Sequence, residues 1–394
     1  MQLEITNTVL VTDARIGACL SIARSLGKKG LEVYCGTDKN AMEGYYDSNR
    51  LDAVSNFSRY VKCVSYYPNP AKQKEFEQSV ERYCRNLGIK VVMPVAQRST
   101  VALSKAKKRL RSLIIPISDF ESLSIGASKK KTIQIAIKLN IPVPKTTIID
   151  SFSDLRNHVF EFPVVVKGVY GGGTVTYPQN MQELEKSVTT LYEQQGEYPL
   201  IQEYIHGQGY GFFALFNKGH PRAIFMHKRI REYPSTGGMS TCAESVYEPK
   251  LLEYGLKILR ELRWHGVAMV EFKRDIQDGQ FKLMEINPRF WGSLDLSIAS
   301  GVDFPYLLYK MAVEGDVKPV FRYQRGLRYN WVLPIDFMRT FKKTIHERIK
   351  PFFLDSINPR IYRNICREDL TPSFIQFAVA ISHLYDLGRW KIRA

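Results

Sequence analysis

The alternation of apolar and polar positions divides the chain into segments that read as strand and helix in turn. Thr8–Val11 is a short β-branched run, and Ile16, Leu20, Ile22, Ala23 and Leu26 fall at helical spacing over residues 16–29. Residues 31–35 resume an apolar run after Gly30. Strand, helix, strand in that order predicts a βαβ opening and hence a parallel sheet. The alternation continues with VKCVSYY, a helical pattern over residues 73–87, the apolar run IKVVMPVA at 89–96, and SLIIPIS at 112–118, which reads as the last strand. A first domain therefore closes near residue 120. Its first turn, DARIGA, has one glycine where a dinucleotide fingerprint needs three, so the pattern gives hydride chemistry no support.

A second unit opens at SKKKTIQIAIKLNIPVPKT. Lys129 begins an amphipathic helix that must end before Ile141, because Pro142 and Pro144 cannot continue it. In FPVVVKGVYGGGTVTYP a buried strand over residues 164–166 delivers Lys167 at its end, followed by Gly171, Gly172 and Gly173. A lysine next to a glycine loop can hold phosphates through a point charge and exposed N–H groups, although a glycine triplet also suits an ordinary hairpin tip. After a helix over Met181–Gln195, an apolar run ends at Glu203, Tyr204 and Ile205, and Gly207, Gly209 and Gly211 mark a bend before residues 212–216. Such a hinge can offer backbone groups to an adenine edge; a β-bulge without a ligand is the competing reading. The polar stretch HKRIREYPSTGGMSTCAES places Arg229 and Arg231 in a loop between strand-like pieces, and a helix over residues 250–262 follows.

The densest chemistry lies just beyond. Glu271 sits in VAMVEFKRD, and KLMEINPRFWGS presents Glu285, Asn287 and Arg289 at period two. A hairpin between residues 267–272 and 283–286 would set Glu271 beside them. Two carboxylates and a carboxamide are hard oxygen donors of the kind Mg²⁺ takes while it bridges nucleotide phosphates, and an adjacent arginine can clamp an oxyanion.

Composition narrows the class. With 394 residues and 44% hydrophobic content, the chain has enough apolar surface for two or three domains and is not a disordered binder. Cys19, Cys35, Cys63, Cys84, Cys242 and Cys366 are scattered without a CxxC, and the seven histidines form no ligand-spaced pair; this suits buried thiols and argues against a disulfide frame or a structural metal. The N-terminal stretch MQLEITNTVLVTDAR lacks the features of a secretory signal, and FIQFAVAISHLY is too short and polar to span a bilayer, so the expected location is cytoplasmic. Net charge is +17, and residues 321–394 hold fourteen Lys and Arg against six Asp and Glu, giving +8. A second basic cluster, KAKKRLR, covers residues 105–111. Such excess attracts polyanions, but no helix-turn-helix, zinc finger or RNP-type pattern accompanies it, so sequence-specific nucleic-acid recognition is not expected.

In order and spacing, SKKKT…NIPVP, PVVVKGVYGGG, QEYI.G.G.G, R.YP..GG.ST..ES, VEFKRD and MEINPRFWGS resemble the ATP-grasp superfamily of carboxylate-activating ligases over roughly residues 1–320. The resemblance extends to members of carbamoyl-phosphate-synthase-like or carboxylate–amine ligase type, although the absence of an internal duplication argues against carbamoyl phosphate synthesis itself. It implies an α/β and α+β chain with three parts. A Rossmann-like pre-ATP-grasp domain occupies 1–120. An ATP-grasp domain occupies 121–320, with a lid subdomain over about 126–200 and a metal-site subdomain over about 201–320. A basic helical extension occupies 321–394. It further implies that Lys129 and Lys167 contact phosphates, that the Gly171–Gly172–Gly173 loop closes over them, and that Glu203 with the Tyr204 and Ile205 backbone reads adenine. Glu271, Glu285 and Asn287 would hold Mg²⁺ or Mn²⁺, and Arg289 would steady the transferred phosphate. Family members commonly carry an acidic residue after the hinge for the ribose; here GQGYG stands there, leaving Gln208 or a distant residue for that contact.

The expected activity is ATP-dependent activation of a small carboxylate as an acyl phosphate and its ligation to an amine, with release of ADP and phosphate. Arg289 and Arg231 are the nearest candidates to stabilise the tetrahedral oxyanion of the second step. Arg229, Arg231 and residues 235–240 are the expected substrate pocket. Two alternatives remain at this stage: a kinase-like phosphotransferase, and a nucleotide- or polyanion-binding module without turnover. The C-terminal segment interleaves Trp331, Phe337, Phe341, Phe352 and Phe353 with basic residues. The favoured expectation is that it packs on the catalytic domain or on a second subunit of a homodimer; contact with an anionic membrane surface or an acidic glycan is the other option.

Overall fold

In the computed structural model of the protein, the described residues are 7–38, 54–171, 175–233, 238–336, 355, 358 and 360–385. Strands β1 (Thr8–Val11), β2 (Glu32–Asp38), β3 (Val61–Tyr67) and β4 (Val91–Met93) form a parallel sheet in the order β3-β2-β1-β4. Helix α1 (Gly17–Lys28) connects β1 to β2, α2 (Gln73–Asn86) connects β3 to β4, and α3 (Gln97–Ala106) follows β4. The strand expected at residues 112–118 is reduced to one parallel bridge between Val91 and Ile114. Pro116 has no N–H for a ladder, and the Ile117 N–H turns back to the Ile115 carbonyl at 2.8 Å.

Helices α4 (Phe120–Ala127) and α5 (Lys129–Lys138) lead into a small antiparallel sheet of β5 (Thr146–Ile148), β6 (Val164–Lys167), β7 (Val175–Thr176) and β8 (Leu200–Glu203), ordered β5-β8-β6-β7. Helices α6 (Phe152–Arg156) and α7 (Met181–Gln195) accompany it. Asn180 caps α7, its Oδ1 accepting the Glu183 N–H at 3.0 Å, and Gly196 ends the helix in the left-handed region at φ 70°.

The larger sheet has seven strands in the order β13-β12-β9-β10-β11-β14-β15. They are β9 (Gly207–Asn217), β10 (His220–Tyr233), β11 (Met239–Ser245), β12 (Gly266–Asp275), β13 (Phe281–Asn287), β14 (Arg328–Asn330) and β15 (Ile361–Arg363). All neighbours are antiparallel except β14 and β15. Alternation sends Phe213, Leu215, Phe225, Val267 and Met269 to one face, where they share a core with β1, β2, α1, Trp291, α9 (Leu294–Ala299) and α10 (Phe304–Glu314). Phe212, Phe216, Met226, Val270 and Phe272 take the other face and pack with α5 and α8 (Pro249–Glu261). The parallel sheet and the larger sheet thus bury one continuous apolar layer between them, and this fixes how they meet.

The C-terminal segment departs from the helical extension expected for it. Among its described residues are two strands, a kinked turn at Val332–Asp336, and one helix, α11 (Thr371–Tyr385). Leu327, Tyr329 and Trp331 are buried at period two against the sheet, a strand signature inside a stretch that the charge and aromatic content had suggested as helical. Phe337, Phe341, Phe352 and Phe353 lie outside the described residues.

The segment is tied down by buried charge. Asp369 accepts from Arg24 Nε at 2.8 Å, Ser58 Oγ at 2.8 Å and the Arg59 N–H at 2.9 Å, joining the start of α11 to the parallel-sheet unit. Removing one partner of a buried charge leaves the other uncompensated, at a cost of about 3 kcal/mol. Asp369→Ala is accordingly expected to lower the melting temperature by about 4 °C in calorimetry.

Candidate functional site

The β12–β13 hairpin sets Glu271 directly opposite Glu285, with Asn287 opposite Met269. A register shift after Glu271 pairs Phe272 with Leu283 on the opposite face, so the two carboxylates share a side with Asn287 while their apolar neighbours stay in the core. Opposite positions in adjacent strands stand about 5 Å apart, where two like unit charges repel by about 3 kcal/mol at the effective dielectric of a protein surface. Cations from two other elements offset this. Arg229 Nη2 of β10 lies 2.8 Å from Glu271 Oε1, and Lys129 Nζ at the start of α5 lies 3.1 Å from Glu285 Oε2. Asn287 Nδ2 donates to Glu285 Oε1 at 2.9 Å, and Arg289 Nη2 donates to Asn287 Oδ1 at 3.0 Å. Lys129 Nζ also donates to the Gly171 carbonyl at 2.6 Å.

Arg229 reaches Glu271 across an intervening strand, because β9 lies between β10 and β12. Two glycines clear the path. A Cβ at Gly209 would stand 2.8 Å from both Arg229 Cδ and Glu232 Oε1, and one at Gly211 would stand 2.5 Å from Phe213 Cζ and 3.0 Å from His227 Nε2. These glycines were expected to mark a bend. They lie instead within a strand paired without a break to β12 from Gly207 to Phe216. Their function here is close approach of neighbouring side chains.

The electrostatics follow from burial plus these partners. Burial works against ionisation of Glu285, yet Lys129, the Asn287 amide and Lys167 hold its carboxyl down at about 2. Burial pushes Glu271 up; Arg229 opposes that rise, and Glu285 and Glu232 add to it. Lys167, at the end of β6, is lowered by burial to about 8 despite the attraction of Glu285 and Glu271. Among the described residues its side chain forms no hydrogen bond or ion pair, so its ammonium is held near the carboxylates without a fixed partner. Burial also lowers Arg289, against the pull of Glu285 and Glu271.

The other residues named from the sequence divide into those near this cluster and those engaged elsewhere. Glu203 ends β8, but its Oε1 accepts from Lys282 Nζ at 3.2 Å and from the Lys145 N–H at 2.9 Å. Tyr204 and Ile205 lie between β8 and β9, outside both ladders. The Ile205 carbonyl accepts from Lys273 Nζ at 3.3 Å, and the same ammonium stands 5.3 Å from the Tyr204 ring centroid. Gln208, one option for the ribose, donates to the Arg229 carbonyl at 2.8 Å. Arg231, expected beside the reacting groups, is turned away by register shifts after Arg229 and held by Asp336 and Asp355 of the C-terminal segment. Arg229, expected only to line the substrate pocket, stands beside the carboxylates through its pair with Glu271. Gly171 is described, whereas Gly172, Gly173 and residues 234–237 of the expected substrate loop lie outside the described residues. Glu232, which accepts from Arg229 Nη1 at 3.3 Å, and Lys273 were not anticipated. Lys273 follows Glu271 by two positions in one strand, a spacing that was readable in advance.

The two glycines make separable predictions. Ala at 209 meets the side chains of Arg229 and Glu232, so Gly209→Ala is expected to displace Arg229 from Glu271 in a crystal structure and, by separating a buried pair, to lower the melting temperature. Ala at 211 overpacks Phe213 in the core, and Gly211→Ala is expected to cost about 1–3 kcal/mol in thermal unfolding.

Two family models match the chain. One, described as the ATP-grasp in the biosynthetic pathway with Ter operon, matches residues 197–334, and the RimK-like ATP-grasp domain matches residues 126–210. No curated protein matches. Among solved structures, the L-amino acid ligase from Bacillus licheniformis is similar with a TM-score of 0.60 at 17% identity, over 79% of this chain and 77% of that one. The N5-carboxyaminoimidazole synthetase from Staphylococcus aureus complexed with ADP is similar with a TM-score of 0.63 at 15% identity, over 83% and 82% of the two chains. The biotin carboxylase from Campylobacter jejuni gives 0.64 at 14% identity, over 82% and 74%. At these identities the likeness is one of fold. With two ATP-grasp models that together span residues 126–334, the chain belongs to the ATP-grasp superfamily.

Proposed function

We propose that the protein is an ATP-dependent ligase that converts a small carboxylate to an acyl phosphate and joins it to an amine, releasing ADP and phosphate. The observation that carries this reading is the acidic hairpin facing Lys129 and Lys167, one lysine paired to Glu285 and the other without a fixed partner. In this reading residues 1–120 form a Rossmann-like domain, residues 121–320 the ATP-grasp domain, and residues 321–394 a basic extension.

The donor set fits a nucleotide-bound Mg²⁺. Among the described residues no group of three or more His, Cys, Asp or Glu converges as a closed metal cage. Glu271, Glu285 and Asn287 supply two carboxylates and an amide oxygen, which suits a cation whose remaining ligands are phosphate oxygens. When bound, Mg²⁺ would neutralise charge on the phosphates. The chain's own groups do the rest. Lys129 and Lys167 hold the phosphates in place and offset their charge, the larger part of what phosphoryl transfer requires. The acid's carboxylate oxygen attacks the terminal phosphorus and ADP leaves. The amine then attacks the acyl carbon, phosphate leaves, and the amine's surplus proton passes to solvent. Arg289, buried beside Asn287, is placed to steady the negative oxygen that develops in each step. Arg229 opposes the upward push of burial on Glu271 and orients its carboxylate.

ADP release that requires an acid and an amine together is the expected behaviour in a screen of both classes. Glu285→Gln should reduce it by about 100-fold or more, with the fold retained in circular dichroism. ADP release in the presence of the acid alone, with phosphorylated acid accumulating, would point to the phosphotransferase.

Lys167 supplies a pH test. Its folded-state pKa of about 8 leaves it mostly charged at pH 7 and neutral well above 8. A triphosphate beside it favours the charged form, so nucleotide affinity is expected to fall as pH rises through 8, with proton uptake on binding near that pH. Isothermal calorimetry in buffers of different ionisation enthalpy measures this uptake, and Lys167→Met should remove it.

A further inference from the structure

The pairing of Glu271 bears on the order in which the site can be filled. Among the described residues Arg229 is the only ion-pair partner of Glu271, through Nη2 at 2.8 Å. The guanidinium is shared. Its Nη1 lies 3.3 Å from Glu232 Oε1 and donates to the Gly238 carbonyl at 3.2 Å. When Glu271 turns to another cation, Arg229 therefore keeps a carboxylate and a carbonyl and is not left as a buried charge without a partner. Gly209 leaves the strand beneath it bare: a Cβ there would stand 2.8 Å from Arg229 Cδ, so the side chain has room at a point where any other residue would hold it. Arg229 is thus well paired to Glu271 and can still give it up.

Charge opposes a metal ion that arrives alone. Glu271 and Glu285 stand among four cationic groups, Lys129, Lys167, Arg229 and Arg289, each of which attracts one or both carboxylates. The cluster therefore carries a surplus of positive charge before any ligand enters. Two of its members also sit on the oxygens that a metal would need, Lys129 Nζ at 3.1 Å from Glu285 Oε2 and Arg229 Nη2 at 2.8 Å from Glu271 Oε1. A divalent ion by itself would have to displace both against like-charge repulsion. Nucleotide phosphates reverse the balance. Their charge exceeds the surplus, and their oxygens attract the same ammonium and guanidinium groups away from the carboxylates.

We propose, resting on the ligase reading, that Arg229 is a displaceable counter-ion that shuts Glu271 to divalent cations until nucleotide phosphates are present, so that metal does not bind first. Mn²⁺ is the probe, because it suits the same oxygen donors as Mg²⁺ and its free concentration is read from its electron paramagnetic resonance signal. The full chain is titrated with Mn²⁺ alone and with ADP present, against ADP without protein. Wild type is expected to take up Mn²⁺ with ADP, beyond what ADP binds in solution, and to bind Mn²⁺ alone at least about tenfold more weakly. Arg229→Gln removes the charge and should strengthen binding of Mn²⁺ alone by at least about tenfold. Gly209→Ala, which displaces Arg229 by a different route, should shift it in the same direction and serves if Arg229→Gln does not fold. Damage to the fold would weaken metal binding, so a gain separates this role from a merely structural one. The proposal is overturned if wild type binds Mn²⁺ equally well with and without ADP, or if the folded variants bind Mn²⁺ alone no more tightly than wild type. If wild type takes up neither ADP nor Mn²⁺ with ADP, the nucleotide site itself is refuted, a result distinct from both, and the proposal falls with it.

Discussion

Glu271 and Glu285 face each other across one pair of strands, and much of the surrounding structure answers the need to neutralise them. One cation comes from β10 over a strand stripped of side chains at Gly209 and Gly211, the other from the first turn of a helix in a different unit. The hairpin therefore does more than hold oxygen donors. Its charge draws together α5, β9, β10 and the carbonyl of Gly171, the elements that surround the nucleotide in the proposed reading. In the proposed reading a cation–phosphate complex would supply the counter-charge and release Lys129 and Arg229 from that duty in part. This is a physical reason for a site of this kind to hold cations against its carboxylates beforehand.

Part of the chain's basic excess is used inside the fold. Arg24, Arg229 and Arg231 are spent internally on buried or half-buried carboxylates, and three of those partners, Asp336, Asp355 and Asp369, belong to the C-terminal segment. That segment is consequently part of the folded body: it extends the large sheet by two strands and braces the parallel sheet.

Much of the site was readable from residue spacing. Period two placed Glu285 and Asn287 on one side, the break after the strand freed Arg289, and a β-branched run ending in lysine located Lys167. Spacing did not reveal partners that come from distant strands. Arg229 and Arg231 look equivalent in HKRIREY, and only the register shifts in β10 send one to Glu271 and the other to Asp336. Glu203 ends its strand as expected, but Lys282, seventy-nine residues later, claims its carboxylate. In GLRYNWVL the alternation of Leu327, Tyr329 and Trp331 was present, but basic residues and aromatics obscured it.

By itself, the order of apolar periods and charged positions determined the strand–helix alternation, the acidic hairpin and the lysines destined for it, because these depend on local geometry that repeats every two or 3.6 residues. Tertiary structure alone decided which cation meets which carboxylate, why β9 needs glycine where it does, and that the C-terminal segment joins the sheet. Those outcomes depend on strand order and register, which bring together residues that no local period relates.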